Sequence, residues 1–108
     1  MEFQQVVESR IDKIRSVLAT KGNEYGKQGD RYHNFRVAGR LLDTSPERAL
    51  IGMEVKHRVS VMDLVDTAEE HPQFLNKELI SEKIGDAINY LILLEGMLYE
   101  HLEERTPL

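Results

Sequence analysis

The sequence contains no cysteine and no long uninterrupted apolar run. Without cysteine there is neither a disulfide framework nor a thiolate metal site, so the fold must rest on packing and a reducing compartment is expected. No segment approaches the roughly 18 uncharged apolar residues that indicate a membrane span. Residues 1–5 lack the basic and apolar regions of a signal peptide. We therefore expect a soluble, cytoplasmic protein.

Positive charge is scarce as well, with 14 Lys and Arg against 19 Asp and Glu and a net charge of −5. Nucleic-acid backbones are bound by clustered Lys and Arg, so this balance argues against nucleic acid as the main partner. Hydrophobic residues at 41% and charged residues at 31% are typical of a folded soluble protein. At this length we expect a single domain over residues 1–108.

Established catalytic and phosphate-binding motifs are also missing. Gly22, Gly26 and Gly29 match neither a P-loop nor a dinucleotide fingerprint. The four histidines lack the short spacing of a zinc helix motif, and no Ser-His-Asp or Cys-His arrangement occurs. Polar residues within apolar helical segments are therefore the main candidates for chemistry.

Apolar residues recur every three or four positions, which predicts an all-α fold. The pattern indicates a first helix over about residues 2–21 and a short second helix over about residues 32–42. Ser45 as N-cap and Pro46 at the first helical position predict a third helix that runs to His71. Asn76 caps a fourth helix that ends near Glu104. We find no segment typical of a strand.

The third and fourth helices are each about 25 residues long and would span about 37 Å, which suits an antiparallel bundle of about four helices. The fourth helix is apolar on more than one side. We therefore expect it to be central in the bundle or to form a contact in a homo-oligomer, a dimer or higher.

Two carboxylates and an amide interrupt the apolar pattern of the fourth helix. Glu82 and Asp86 are four residues apart and share a face, and Asn89 follows three residues later. Paired carboxylates of this kind suit Mg²⁺, which takes one or two carboxylates together with water and phosphate oxygens. A solvated acidic face explains the same spacing. Because Asp86 borders the apolar stripe, it must be paired, hydrogen-bonded or metal-bound.

Two glycines within the long helices, Gly52 and Gly85, each cost roughly 1 kcal/mol relative to alanine. Their presence predicts a close approach, either of a neighbouring helix or of a ligand beside Asp86.

Lys56, His57 and Arg58 form a basic cluster in the third helix. His57 lies in register with the apolar stripe, where a histidine is more often hydrogen-bonded to a neighbour than bound to a ligand. Lys56 and Arg58 can bind phosphate or form ion pairs with acidic residues.

The loop before the second helix carries Lys21 and Tyr25, and Asn34 stands near the start of that helix. A cation, aromatic rings and amides can hold a base by stacking and its phosphates by charge. An ordinary glycine-rich connector explains the loop equally well.

Four short motifs between residues 21 and 98 resemble a small all-α phage and prophage family, nucleotide modification associated domain 1. That family is itself similar to the MazG-like nucleoside triphosphate pyrophosphohydrolases. The motifs are Lys21-Gly22-x-x-Tyr25-Gly26, Asn34-Phe35, Lys56-His57-Arg58 and Gly85-Asp86-Ala87-Ile88-Asn89-Tyr90. The resemblance implies an oligomeric helical bundle in a bacterial cytoplasm.

MazG-like enzymes hold Mg²⁺ with a Glu-x-x-Glu and a Glu-x-x-Asp motif while water attacks between the α and β phosphorus atoms. In this sequence Asp86 matches the last acid, but Lys83 stands where the glutamate is expected and Glu82 is one position away. In the first motif Glu54 is followed three residues later by His57. Missing carboxylates weaken the case for catalysis more than the case for nucleotide binding.

Three hypotheses follow. The first is a Mg²⁺-dependent nucleotide pyrophosphohydrolase, in which Glu82 and Asp86 hold the ion and Glu54 or Asp63 completes the shell. Its nucleotide would be bound by Lys21, Tyr25, Asn34, Lys56, His57, Arg58, Asn89 and Tyr90. The second is a non-catalytic binder, or sponge, for a nucleotide or nucleotide-derived signal. The third is a helical interaction module whose charges fix helix register and oligomeric state.

Overall fold

The computed structural model describes residues 1–20 and 29–105, and within these ranges every regular element is helical. The expected all-α class is therefore confirmed. The elements are α1 (Phe3–Ile14), a π-helical segment (Arg15–Thr20), α2 (His33–Leu41), α3 (Pro46–Glu70), a 3-10 turn (Pro72–Phe74) and α4 (Lys77–Arg105).

The two long helices begin where their capping residues predict. The Ser45 hydroxyl oxygen accepts a hydrogen bond from the Arg48 backbone N–H at 3.1 Å, and Pro46 occupies the first turn. The Asn76 side-chain oxygen accepts from the Leu79 backbone N–H at 2.8 Å. Each cap satisfies an otherwise unpaired donor and stabilises its helix by about 1 kcal/mol.

Helices α3 and α4 pack antiparallel. Glu47, near the start of α3, accepts from His101, near the end of α4, at 2.7 Å, whereas His57 in the middle of α3 lies beside Asp86. On another side of α4, the Arg10 guanidinium of α1 donates to the Ser81 backbone carbonyl at 3.0 Å. Helix α4 is thus covered by two other helices, as its wide apolar surface predicts.

The core lies toward the C-terminal half of α4. Tyr32 and Phe35 pack there against Leu50 of α3 and Met97 of α4, and Leu50 is only 1% exposed. The Tyr32 hydroxyl lies directly against Gly96, where a Cβ atom would collide with it. A glycine is therefore required for the close approach of Tyr32 to α4.

The two glycines singled out in the sequence behave differently. A Cβ atom at Gly85 would collide with the guanidinium of Arg10, so close approach at this position is confirmed, although a side chain rather than a helix backbone makes it. At Gly52 no atom lies within 4 Å of the Cβ position. The expectation of close approach at Gly52 is wrong within the protomer.

No helix in the described ranges is long and apolar enough to cross a bilayer.

Candidate ligand pocket

A pocket of about 260 Å³ lies where α2, α3, α4 and the π-helical segment meet. We call it the central pocket, and its polar lining consists of Arg31, Asn34, Asp86, Asn89 and Tyr90. Its apolar lining consists of Val17, Leu18, Phe35, Met53 and Leu93. It is thus a largely apolar site with a few polar groups, which is the usual composition of small-molecule pockets.

One face of α4 supplies the polar wall of the central pocket. Asp86, Asn89, Tyr90 and Leu93 are spaced by three, one and three residues, so they share this face. From α3, His57 places its Nδ1 atom 3.9 Å from Oδ2 of Asp86. The sequence placed these groups on two helices, and the structure brings them together.

Tyr90 joins three rings at the edge of the pocket. Its ring centroid lies 4.5 Å from that of His57 and 5.7 Å from that of Phe35, the latter contact being edge-to-face. Burial raises the pKa of Tyr90, and the negative charge of Asp86 raises it further. The phenol therefore stays protonated at neutral pH and can donate a hydrogen bond.

Two buried polar atoms beside the pocket have no hydrogen-bond partner among the described residues. These atoms are Oδ1 of Asn89 and Nε2 of His57, and the His57 side chain is only 14% exposed. A buried polar atom without a partner costs about 1–3 kcal/mol. Such atoms are uncommon in native proteins. Asn89 lines the central pocket, whereas His57 lies behind the lining, against Asp86 and Tyr90.

A small ionic network fixes the turn that carries Arg31 and Asn34. Arg36 donates to Asp30 at 2.9 Å and to Glu100 of α4 at 3.2 Å, while Asp30 also accepts from the Tyr32 backbone N–H at 3.0 Å. Burial lowers the pKa of Arg36, but hydrogen bonds and charge from Asp30 and Glu100 outweigh burial and raise it. The turn is therefore tied to α4 next to the pocket.

The other predicted site residues of α3 lie away from the central pocket. Glu54 is 4% exposed and accepts from Arg58, four residues later on the same helix, at 2.8 Å. Lys56 is exposed and does not line the pocket. The structure therefore does not bring Lys56, Arg58 or Glu54 together with Asp86.

Glu82 also lies outside the central pocket. Its side chain is 64% exposed, and the nearest cation is Lys83, whose Nζ atom is 3.9 Å away. The predicted ligand-binding residues Lys21 and Tyr25 fall in residues 21–28, outside the described residues.

The acidic and histidine side chains of the described residues do not form a metal site by themselves. In residues 1–20 and 29–105 no group of three or more histidine or acidic side chains is close enough to hold a metal ion. Among the described residues that line the pocket, Asp86 is the one carboxylate. A Mg²⁺ ion there would depend on water and ligand phosphates for most of its coordination. Magnesium therefore stays a prediction.

Arg31 and Phe35 belong to the segment 30–35, whose cation, aromatic rings and amides were expected to hold a base and its phosphates, and both line the pocket. Met53 was not expected at the site. It belongs to the apolar stripe of α3, and spacing alone does not distinguish a core position from a pocket wall.

The described residues form an all-α bundle with a pocket between its helices. No protein-family model, curated protein or solved structure matches this chain. The resemblance to the phage family therefore stays a prediction that rests on short motifs.

Proposed function

We propose that this protein binds a mononucleotide in the central pocket. The observation that carries the proposal is the pair of unpartnered polar atoms, on Asn89 and His57, beside the ring of Tyr90. Asn89 lines the pocket and His57 contacts two lining residues, Asp86 and Tyr90, so both place hydrogen-bonding groups beside its aromatic wall. A nucleobase is a flat ring with donors and acceptors on its edge, so it complements both features.

The remaining lining groups suit the rest of a nucleotide. Phe35 and Tyr90 offer aromatic surface for contact with a base. Arg31 is exposed at the pocket, and its planar guanidinium can pair with phosphate oxygens through two hydrogen bonds. Asn34 adds an amide near the start of α2.

The size of the pocket limits the ligand. Its volume of about 260 Å³ is slightly below the range of about 300–1,000 Å³ common for small-molecule sites. This favours a single nucleotide, or a signal derived from one, over a dinucleotide that lies wholly inside the pocket.

Binding without turnover is better supported than hydrolysis. Asp86 lines the pocket and keeps a Mg²⁺-dependent pyrophosphohydrolase as a second candidate. Glu54, however, pairs with Arg58, and Glu82 lies outside the pocket, so the other carboxylates that catalysis would use are not gathered around Asp86. A sponge that only binds a nucleotide or a nucleotide-derived signal does not need several carboxylates close together.

A thermal-shift screen with nucleoside mono-, di- and triphosphates tests the proposal. A ligand at 100 times its dissociation constant stabilises the folded state by about 2.7 kcal/mol, which gives a clear rise in Tm. We expect at least one nucleotide to raise the Tm of the wild type and of Gln73→Leu, an exposed amide away from the pocket. Asn89→Leu should lose most of this rise.

If no nucleotide raises the Tm, the proposal is wrong. Incubation of the same triphosphates with Mg²⁺ then separates binder from enzyme. Release of monophosphate and pyrophosphate that Asp86→Asn abolishes would favour the second candidate.

A further inference from the structure

The outer face of α3 carries five large apolar side chains that stay exposed and that no helix of the described part of the chain covers. Their exposed fractions lie between 47% and 58%. We call them the outer α3 stripe, which consists of Ile51, Val55, Val59, Met62 and Val65. Their spacing of four, four, three and three places them on one face over about 21 Å. The buried residues Leu50 and Leu64 lie on the opposite face.

Gly52, at the side of the stripe, is a second and independent observation. A glycine inside a helix costs roughly 1 kcal/mol relative to alanine, and no atom of the described residues approaches its Cβ position within 4 Å. Its small size therefore serves no contact among residues 1–20 and 29–105. A second helix crossing α3 at this point would use it.

The distribution of charge along α3 indicates which partner fits the outer α3 stripe. The exposed cations Arg48, Lys56 and Arg58 all lie in its first half, whereas Asp63, Asp66, Glu69 and Glu70 follow without any intervening Lys or Arg. Glu54 and Arg58 pair with each other and cancel, and Glu47 contacts His101, so Arg48 and Lys56 supply the positive charge of the first half. The helix is thus positive toward its start and negative toward its end.

We propose that the outer α3 stripe pairs, in antiparallel orientation, with the same stripe of a second copy of this chain. A twofold axis near Val59 brings Val55 opposite Met62 of the partner subunit and Arg48 opposite Glu69 of the partner subunit. Each contact then occurs twice, as twofold symmetry requires. A parallel pairing would place the two acidic ends together, and their repulsion disfavours it.

Sedimentation equilibrium of the full chain, over about 1–100 µM, tests the pairing because this range spans dissociation constants typical of specific association. We expect a mass about twice the 12.5 kDa of the protomer. Met62→Glu places a charge within the stripe, next to Val59 at the proposed twofold axis, and should give a monomer with unchanged helical circular dichroism. Leu41→Glu is the matched control, because Leu41 is exposed but lies on α2, and it should remain dimeric.

A charge exchange tests the antiparallel register. Arg48→Glu and Glu69→Arg should each weaken association about tenfold, because each places like charges opposite one another twice. The double variant should return to within about threefold of the wild type, since the pair is restored with its signs reversed. A monomeric wild type, a dimer that Met62→Glu leaves intact, or a double variant as weak as the single variants would overturn the proposal.

Discussion

Two regions along the same pair of helices, α3 and α4, are built in opposite ways. Near one end, Leu50 and Met97 pack with Tyr32 and Phe35 in an apolar core, which we call the closed end. Two turns along α3 from Leu50, His57 faces Asp86 and Tyr90 at the central pocket. At the closed end the apolar side chains pack against one another. Beside the central pocket, by contrast, two buried polar atoms have no hydrogen-bond partner among the described residues.

This difference distinguishes residues that pack in the core from residues that are proposed to bind a ligand. If stability alone had shaped the helix contact, apolar residues in place of Asn89 and His57 would avoid a cost of about 1–3 kcal/mol for each unpartnered atom. The closed end demonstrates that this helix pair can be packed with apolar residues. The proposed ligand would supply the missing partners, and the two regions should then respond oppositely to substitution.

The largest effect is expected at the closed end. Leu50→Ala removes a side chain that is 1% exposed and leaves a cavity, so it should lower the free energy of unfolding by about 2–5 kcal/mol. Urea denaturation measures this directly. A loss below about 1 kcal/mol would mean that the closed end does not hold the bundle together.

A smaller loss is expected where Tyr32 crosses α4. Gly96→Ala puts a methyl group against the Tyr32 hydroxyl and should cost about 1–3 kcal/mol despite the better helix propensity of alanine. Adding Tyr32→Phe removes the colliding oxygen, so the double variant should recover part of the loss. Strictly additive effects of the two changes in urea denaturation would contradict this contact.

The opposite change in the free energy of unfolding is expected for a substitution beside the central pocket. His57→Leu removes the buried unpartnered Nε2 atom and should leave the free energy of unfolding unchanged or raise it by about 1 kcal/mol. Its effect should appear in nucleotide binding, which we expect to weaken. A loss of stability like that of Leu50→Ala, with unchanged binding, would show that His57 is a core residue only.

The capping residues and the polar face of α4 could be predicted because both depend on local spacing. Ser45 and Asn76 bond to backbone groups three residues away, and Asp86, Asn89 and Tyr90 share a face through helix geometry alone. His57 was expected to meet a neighbour because it lies in the apolar stripe of its helix.

The features that the sequence could not predict depend on which of several possible partners a side chain contacts in the fold. Glu54 was predicted to complete a metal shell, yet Arg58 is four residues away on the same helix and pairs with it. Arg31, which lines the pocket, follows Asp30, and Arg36 links Asp30 to Glu100 of α4. Neither outcome follows from periodicity, since each is decided by competition among contacts in three dimensions.

The smallest effect concerns pH. Burial, and then the charge of Asp86, raise the pKa of Tyr90 above 10.0, so between pH 10 and the folded-state pKa the folded protein holds a proton that the unfolded chain releases. Stability should therefore be constant below about pH 10 and fall as the pH rises through the folded-state pKa. Tyr32, whose pKa is raised by burial and then by Glu100, adds to the fall.

Urea midpoints at about pH 8 and about pH 11 measure this alkaline loss. Tyr90→Phe should reduce the loss relative to the wild type. An equal loss in both proteins would show that the environment of Tyr90 does not retain its proton.

Whether Asn89 binds a nucleotide or only stabilises the fold is best decided by calorimetric titration of the best nucleotide from the thermal-shift screen into wild type and Asn89→Leu, with urea denaturation of both proteins. We expect Asn89→Leu to bind at least about tenfold more weakly, since a direct hydrogen bond to the ligand is worth about 1.4 kcal/mol or more. Its free energy of unfolding should be equal to that of the wild type or higher. Equal affinity in the two proteins, or a variant that is markedly less stable than the wild type, would contradict these expectations.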